Sequence, residues 1–88
     1  MARTKETHKK NEARILIFLQ NADKYLKNGR RISEKLKIDY SYVMKLMNSM
    51  EKKGWIFVNI YNYNKFFELG KNAPLEESAK ILIKEFKW

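Results

Sequence analysis

The stretch that most constrains the fold runs from Ile38 to Trp55 and reads IDYSYVMKLMNSMEKKGW. Its apolar residues recur at the spacing of one helix face, at Val43, Leu46, Met47 and Met50. Asp39 can accept the free backbone N–H groups of the first turn as an N-cap. Gly54 follows two lysines and suits the left-handed conformation that ends many helices. We therefore predict a helix over residues 40–53 with a single apolar face.

A shorter helix is predicted just before it. Asn28-Gly29 interrupts the chain, and Asn28 can cap a helix from Gly29 to about Lys37. The residues predicted to face inward are Ile32, Ser33 and Leu36. Roughly three residues separate this helix from the next, which is the spacing of a helix-turn-helix pair.

Helical periodicity also begins at Asn11, where one face carries Ile15, Phe18, Leu19 and Ala22. Ile17 falls off that face, which suggests that this helix is covered on two sides. Residues 1–10 show no apolar periodicity, and we interpret them as a flexible basic arm or a frayed helix start.

The second part of the chain predicts a hairpin and a last helix. Residues 55–61 and 65–69 are rich in β-branched and aromatic side chains, and residues 62–64 between them supply turn chemistry. Pro74 suits the first turn of a helix over residues 74–87. The buried stripe predicted for this helix consists of Leu75, Ala79, Leu82, Ile83 and Phe86. The predicted class is mostly α with a small β-hairpin (α+β), with residues 11–88 as one domain.

Positive charge is concentrated in the first part of the chain. Residues 1–53 hold 14 lysines and arginines against 6 acidic residues, which leaves +8 of the total charge of +9. Such a distribution favours a polyanionic partner, because each phosphate contact releases condensed counterions. A lysine-rich surface that serves only solubility is the alternative.

Several functional classes find little support in the composition. The chain has no cysteine, its three glycines are isolated, and its single histidine, His8, lies in the predicted arm. We therefore expect no enzyme activity, no cofactor, no metal site and no small-molecule ligand. No apolar run is long enough for a membrane span, and no signal peptide is evident, so we expect a cytoplasmic, nucleoid-associated protein without membrane contact.

The segment 30–58, RRISEKLKIDYSYVMKLMNSMEKKGWIFV, resembles the helix-turn-helix and first wing strand of winged-helix DNA-binding proteins. The nearest likeness is to the MarR-like and related small regulators of archaea and bacteria. The pair Ile32-Ser33 and the step Leu36-Lys37-Ile38 match their pattern, and residues 66–71 are similar to the second wing strand and its exit. The resemblance implies a helix-turn-helix at 29–53, a wing at 55–69, a C-terminal helix at 74–87 and a surface for nucleic acid.

Two positions depart from that pattern. Lys37 stands where many members place glycine, and a left-handed residue with a Cβ costs about 1 kcal/mol or more. We therefore expect a differently built turn. The wing tip also carries a single positive charge, Lys65, in place of an arginine cluster, so strong electrostatic binding through the wing is not expected.

The outward face of the 40–53 helix carries Ser41, Lys45, Asn48 and Lys52, which suit the major groove. The residues predicted to read bases are Tyr40, Ser41, Tyr42, Lys45 and Asn48. Those predicted to contact the DNA backbone are Arg30, Arg31, Lys52, Tyr63, Lys65, Arg3, Lys5, Lys9 and Lys10. The alternatives are a plain solvated face, packing of both tyrosines against neighbours, and a disordered arm.

These features together predict a sequence-specific double-stranded DNA-binding protein, a transcriptional regulator that represses by occupying an operator. We also expect a homodimer through the first and last helices, with Ile17, Ile81 and Trp88 in the interface. Two other functions remain open. The wing could contact protein within a larger replication or transcription machine, or surface tyrosines could stack on RNA or single strands. The tyrosines available for stacking are Tyr40, Tyr42, Tyr61 and Tyr63.

Overall fold

Four helices and one β-hairpin make up the structure, a computed structural model that describes residues 5–23 and 26–86 of the 88-residue chain. The elements are α1 (Lys5–Asn21), α2 (Gly29–Leu36), α3 (Tyr40–Lys52), β1 (Ile56–Tyr61), β2 (Asn64–Leu69) and α4 (Leu75–Phe86). This order confirms the predicted class, mostly α with a small hairpin.

Helix α1 lies at the centre of the fold. Its residues Ile15, Leu16 and Leu19 are fully buried, and the helix contacts α2, α3 and β2 as well as α4. The expectation that this helix is covered on two sides is therefore confirmed. The prediction of a flexible arm over residues 1–10 is wrong for residues 5–10, which form the first turns of α1. Residues 1–4 lie outside the described part of the chain.

The turn between α2 and α3 is closed by Ser33. Ile38 donates its backbone N–H to the Ser33 carbonyl at 3.1 Å, and the Ser33 hydroxyl donates to the Ile38 carbonyl. Between them Lys37 is left-handed, with φ 57° and ψ 46°. The expected avoidance of this conformation is wrong, because the paired bonds across the turn hold the lysine there.

Both ends of α3 are built as predicted. The Asp39 carboxylate accepts the backbone N–H of Tyr42 at 3.1 Å, and Gly54 has the positive φ of 77° that ends the helix. The buried face of α3 packs into the core beside Ile32 of α2 and the apolar residues of α1. Its buried members include Val43, Leu46, Met47 and Met50.

The N-terminus of α2 approaches α3 closely at Gly29. A Cβ atom added there would lie 2.5 Å from the sulfur of Met44, which is too short for a stable contact. Asn28 caps this end of α2, since its side-chain oxygen accepts the Arg31 N–H at 2.9 Å. The glycine therefore allows the start of α2 to rest directly on α3.

Strands β1 and β2 pair antiparallel, from Ile56 opposite Leu69 to Tyr61 opposite Asn64. The turn between them has two residues, Asn62 and Tyr63, one fewer than predicted, and both have positive φ as in type I′ turns. Phe67 donates its backbone N–H to the Lys27 carbonyl at 2.7 Å, which ties the hairpin to the α1–α2 connection.

Helix α4 packs on α1 with a face that keeps Leu75, Ala79 and Leu82 of the predicted stripe but is shifted toward Ser78 and Ile81. Ser78 is buried and its hydroxyl donates to the Pro74 carbonyl at 2.7 Å, while Ile81 and Leu82 are half-buried. Ile83 is 55% exposed, so its assignment to the buried stripe is wrong. Phe86 of the predicted stripe lies outside the residues whose side chains the structure describes. None of the described helices is long and apolar enough to cross a membrane.

The left-handed turn generates a test of stability. We expect Lys37→Gly to raise the free energy of unfolding by about 0.5–1 kcal/mol, because glycine adopts positive φ without the Cβ penalty and loses only part of that gain to chain entropy. Chemical denaturation followed by circular dichroism measures the change. The matched control is Lys35→Gly, two residues earlier within helix α2, which should lower stability by about 1 kcal/mol. A loss of stability in Lys37→Gly would contradict the assignment.

Candidate nucleic-acid interface

The outward face of α3 is the centre of the candidate interface. Ser41, Lys45, Asn48 and Lys52 are all exposed, while the opposite side of the helix is locked into the core. Because the capped helix is anchored along its whole length, these polar side chains are presented from a rigid backbone. We call this set the reading face.

Tyr40 and Tyr42, predicted to act alike, have opposite environments. Tyr40 is 48% exposed at the edge of the reading face. Tyr42 is only 6% exposed and belongs to the core cluster, so the prediction that it reads bases is wrong. The same burial removes Tyr42 from any set of stacking tyrosines.

The hydroxyl of Tyr42 is held by α1. It lies 2.7 Å from Nδ1 of His8, at hydrogen-bonding distance, and it accepts a bond from the buried Asn11 side chain at 3.3 Å. The His8 and Tyr42 rings also contact each other, with centroids 5.5 Å apart. His8 and Asn11 were missed by the sequence analysis, which placed His8 in a flexible arm. Their three-residue spacing, which continues the helical face that leads to Ile15, was the available signal.

A crevice beside the reading face collects three of the predicted basic residues. It is bounded by the N-terminus of α2, the first turns of α3 and the start of β2. Arg30, Arg31, Tyr40, Asn64 and Lys65 are among its lining residues. The structure thus brings Arg30, Arg31 and Lys65, three predicted backbone contacts from different elements, to one site.

The side chains of this crevice remain accessible to a ligand. Arg30, Arg31 and Lys65 are exposed. Arg31 forms an ion pair with Glu34 at 3.3 Å, and both partners are more than half exposed. Exposed pairs of this kind contribute little to stability and exchange readily for a phosphate.

The wing tip, which we define as residues 60–65, forms the outer edge of the interface. Tyr63 at its turn is fully exposed, and Lys65 is its single charged residue. Both had been predicted to contact the DNA backbone, and both are sterically free to do so.

The remaining predicted contacts are less well placed. Lys9 and Lys10 belong to helix α1, with Lys9 exposed and Lys10 half-buried, so they cannot follow a groove as part of a flexible arm. Lys5 begins the same helix, but its side chain lies outside the described set, as does all of Arg3. Lys9 and Lys10 are not among the residues that line the crevice beside the reading face.

The predicted dimer residues are also separated. Ile17 is half-buried on α1 in a crevice that it shares with Phe18 and Leu82. Ile81, expected to project away from the fold, lies half-buried in a second crevice against Ala13 of α1. That expectation is wrong, and among the described side chains of α4 the exposed large apolar residue is Ile83. Trp88 lies outside the described residues.

Within the described residues, no group of three or more histidine, cysteine, aspartate or glutamate side chains is arranged to hold a metal ion.

Three solved structures share this fold, and all are mutant forms of ZitR from Lactococcus lactis. One single mutant aligns with 88% of this chain at 20% identity and a TM-score of 0.69. A second aligns with 99% at 18% identity and a TM-score of 0.70, and a double mutant in apo form aligns with 89% at 17% and 0.63. The chain spans 52–60% of the length of these proteins. No protein-family model matches the sequence, and no curated protein matches it either.

The similarity establishes the winged-helix fold of this chain. In that fold α2 and α3 are the helix-turn-helix pair and the hairpin is the wing, as the sequence resemblance had implied. At 17–20% identity, the property that this chain shares with those proteins is the fold alone.

The burial of Tyr42 generates a test. We expect Tyr42→Phe to lower the free energy of unfolding by about 1–2 kcal/mol, because the buried Asn11 amide loses its partner. Chemical denaturation gives the value. The control Tyr40→Phe should change stability by less than about 0.5 kcal/mol, since the Tyr40 side chain is half exposed. Equal effects of the two substitutions would contradict the different roles assigned to them.

Proposed function

We propose that this chain binds double-stranded DNA sequence-specifically and acts as a transcriptional regulator of the MarR-like kind, repressing by occupancy of an operator. The observation that carries the proposal is the rigid reading face of α3, flanked by Arg30, Arg31 and Lys65 in one continuous exposed surface. The proposed setting is the cytoplasm, on nucleoid DNA.

In the proposed complex α3 lies in the major groove, which is about 12 Å wide and admits a helix. Asn48 can pair with an adenine edge through its amide, and Lys45 can donate to guanine N7 or O6. Ser41 and Tyr40 lie near the N-terminal end of the helix, which reaches deepest in helix-turn-helix complexes. The direct reading of sequence is thus assigned to four exposed side chains.

The backbone contacts are assigned to the α2 N-terminus and the wing. A phosphate beside Arg30 would also meet the unpaired N–H groups of the first turn of α2. Lys65 on β2 faces the same crevice, and Lys52 lies at the far end of the reading face. These cations supply affinity and register, because phosphate contacts carry no base information.

Contact with a protein through the wing is a second candidate function. The exposed apolar side chains of β1 and the wing tip favour it, since patches of this kind often mark interfaces. The basic residues of α2 and the reading face have no assigned role under this alternative, and DNA binding accounts for more of the surface.

Substitutions at the two kinds of contact should have different effects. We expect Asn48→Ala to cost about 1–3 kcal/mol of discrimination at one base pair while leaving the salt dependence of binding unchanged. Arg30→Ala should weaken binding to all duplexes alike and lower the salt slope by about 1. Selection from random duplexes, followed by titrations at several salt concentrations, measures both effects.

The matched control is Lys80→Ala, which removes one exposed positive charge from α4, an element that packs on α1 away from the reading face. It should leave preference and slope near their original values. If the unmodified protein does not bind duplex DNA at low salt, despite its charge of +9, the proposal is wrong.

We further propose a two-fold dimer in which α1 and α4 of each copy take part, since one module covers few base pairs and paired modules read two half-sites. Ile83 supplies exposed apolar surface on α4, with Ile17 at the edge of the neighbouring crevice. The proposal retains the two helices of the sequence prediction but replaces Ile81 with Ile83 as the exposed residue.

Analytical ultracentrifugation at high micromolar concentration tests this assembly. We expect a dimer for the unmodified protein and a monomer for Ile83→Lys, because a buried unpaired ammonium group opposes association. Lys80→Ala, on an exposed part of the same helix, should remain dimeric. A monomeric unmodified protein at that concentration would rule out the dimer.

A further inference from the structure

The outer half of the hairpin projects away from the body of the protein. Ile56, Val58 and Ile60 lie on one face of β1, because side chains alternate along a strand. Along this face burial decreases from complete at Ile56 to partial at Val58, and Ile60 is 69% exposed. At the turn, Tyr63 has no shielding from the described part of the chain. The wing tip is thus an extended projection in which Ile60 and two tyrosines alternate with asparagines, with one lysine at its end.

Tyr63 also carries an unfavourable backbone conformation. Its φ is 66°, a region that favours glycine and asparagine and disfavours side chains with a bulky Cβ substituent. Asn62 beside it suits the same region at φ 50°. The fold therefore presents an aromatic ring to solvent at a strained position, and no packing within the described residues offsets either cost. The type I′ turn of the hairpin requires positive φ at both central positions and so accounts for the backbone conformation, but it does not require an aromatic ring, and the Tyr63 ring packs on nothing within the described residues.

The turn at the end of the wing tip is uncharged, but the residues around it are positively charged. Residues 60–64 carry no charge, whereas Lys65 follows them and Arg30 and Arg31 lie across the adjoining crevice. An anionic polymer held by these cations would come into contact with the uncharged tip. The tip can neutralise a phosphate only through Lys65, so any further contribution comes from hydrogen bonds and from contact with sugars and base planes.

We propose that the wing tip lies against the minor groove of duplex DNA and that Tyr63 inserts from it as a wedge between adjacent base pairs. Insertion of an apolar side chain unstacks one base step and bends the duplex toward the major groove. This inference rests on the proposed DNA-binding function and specifies how the wing takes part in it.

The position of the hairpin favours this groove. With α3 in the major groove, the wing extends from the same side of the fold, because the start of β2 and the first turns of α3 bound one crevice. The adjacent groove is the minor groove, about 6 Å wide, which admits a single ring more readily than a whole hairpin. The amides of Asn62 and Asn64 flank the ring and can bond to the acceptors that A·T pairs expose there.

A duplex with 2-aminopurine next to a central TA step tests the wedge, since such steps unstack easily. Dyes at the two duplex ends report bending by energy transfer. We expect the unmodified protein to raise the 2-aminopurine fluorescence and to shorten the distance between the ends. Titration of the same duplex by anisotropy reports binding independently of distortion.

Tyr63→Gly is the principal variant, because it removes the ring and relieves the positive-φ strain, so the fold should be at least as stable. We expect its affinity to fall by about three- to tenfold, its salt slope to stay unchanged, and both distortion signals to disappear. Tyr63→Phe keeps the ring and should keep both signals.

Lys65→Ala is the matched control at the same tip. It should weaken binding and lower the salt slope by about 1, but at saturating protein the 2-aminopurine signal should remain. The two substitutions thus separate the apolar contribution of the tip from its electrostatic one.

The possible results separate a failure of the wedge from a failure of DNA binding. If the unmodified protein binds without raising the fluorescence, or if Tyr63→Gly distorts the duplex as the unmodified protein does, the wedge is overturned while DNA binding stands. The tip would then be assigned to contact with protein. A failure of the unmodified protein to bind any duplex would overturn the proposed function and the wedge together.

Discussion

The orientation of the reading face depends on the short turn in which Ser33 bonds twice to Ile38 and Lys37 is left-handed. This turn sets the angle between α2 and α3, and at that angle Val43 and Ile32 pack in the same buried cluster. Because a packed core allows few alternative arrangements, a change at the turn would redirect every outward side chain of α3. The backbone strain at one lysine thus supports the geometry of the whole candidate interface.

The inner side of α3 is held in the core, whereas its outer side is exposed to solvent. Tyr42 reaches His8 and Asn11 on α1, which ties the N-terminal turns of the two helices together. Hydrogen bonds to a buried hydroxyl have directional requirements that apolar packing lacks, so they restrain rotation of α3 about its own axis. The rotation of α3 determines which residues face outward, and Lys45 and Asn48 depend on it.

Much of this architecture could be predicted from the sequence, since caps and stops are local chemistry. Asp39 and Gly54 bound α3 as predicted because each acts on the backbone within one turn. Tyr40 and Tyr42 could not be assigned in this way, because they flank the apolar stripe on opposite sides and a tyrosine is compatible with either environment. The position of α1 decides which one is buried. For Ile81 and Ile83 on α4, the sequence likewise does not reveal which side chain is buried. The packing of α4 on α1 leaves Ile81 half-buried and Ile83 exposed.

The charge distribution and the shape of the hairpin lead to a division of roles within one interface. The cations of α2 and α3 would bind through counterion release, which weakens as salt rises. An apolar contact at Tyr63 does not depend on counterions, so its contribution would persist under conditions that screen Arg30 and Lys65. If the chain binds DNA as proposed, a wing with few charges is therefore no weakness. The wing would give the proposed complex a contact that senses the deformability of a base step, which phosphate neutralisation alone cannot do.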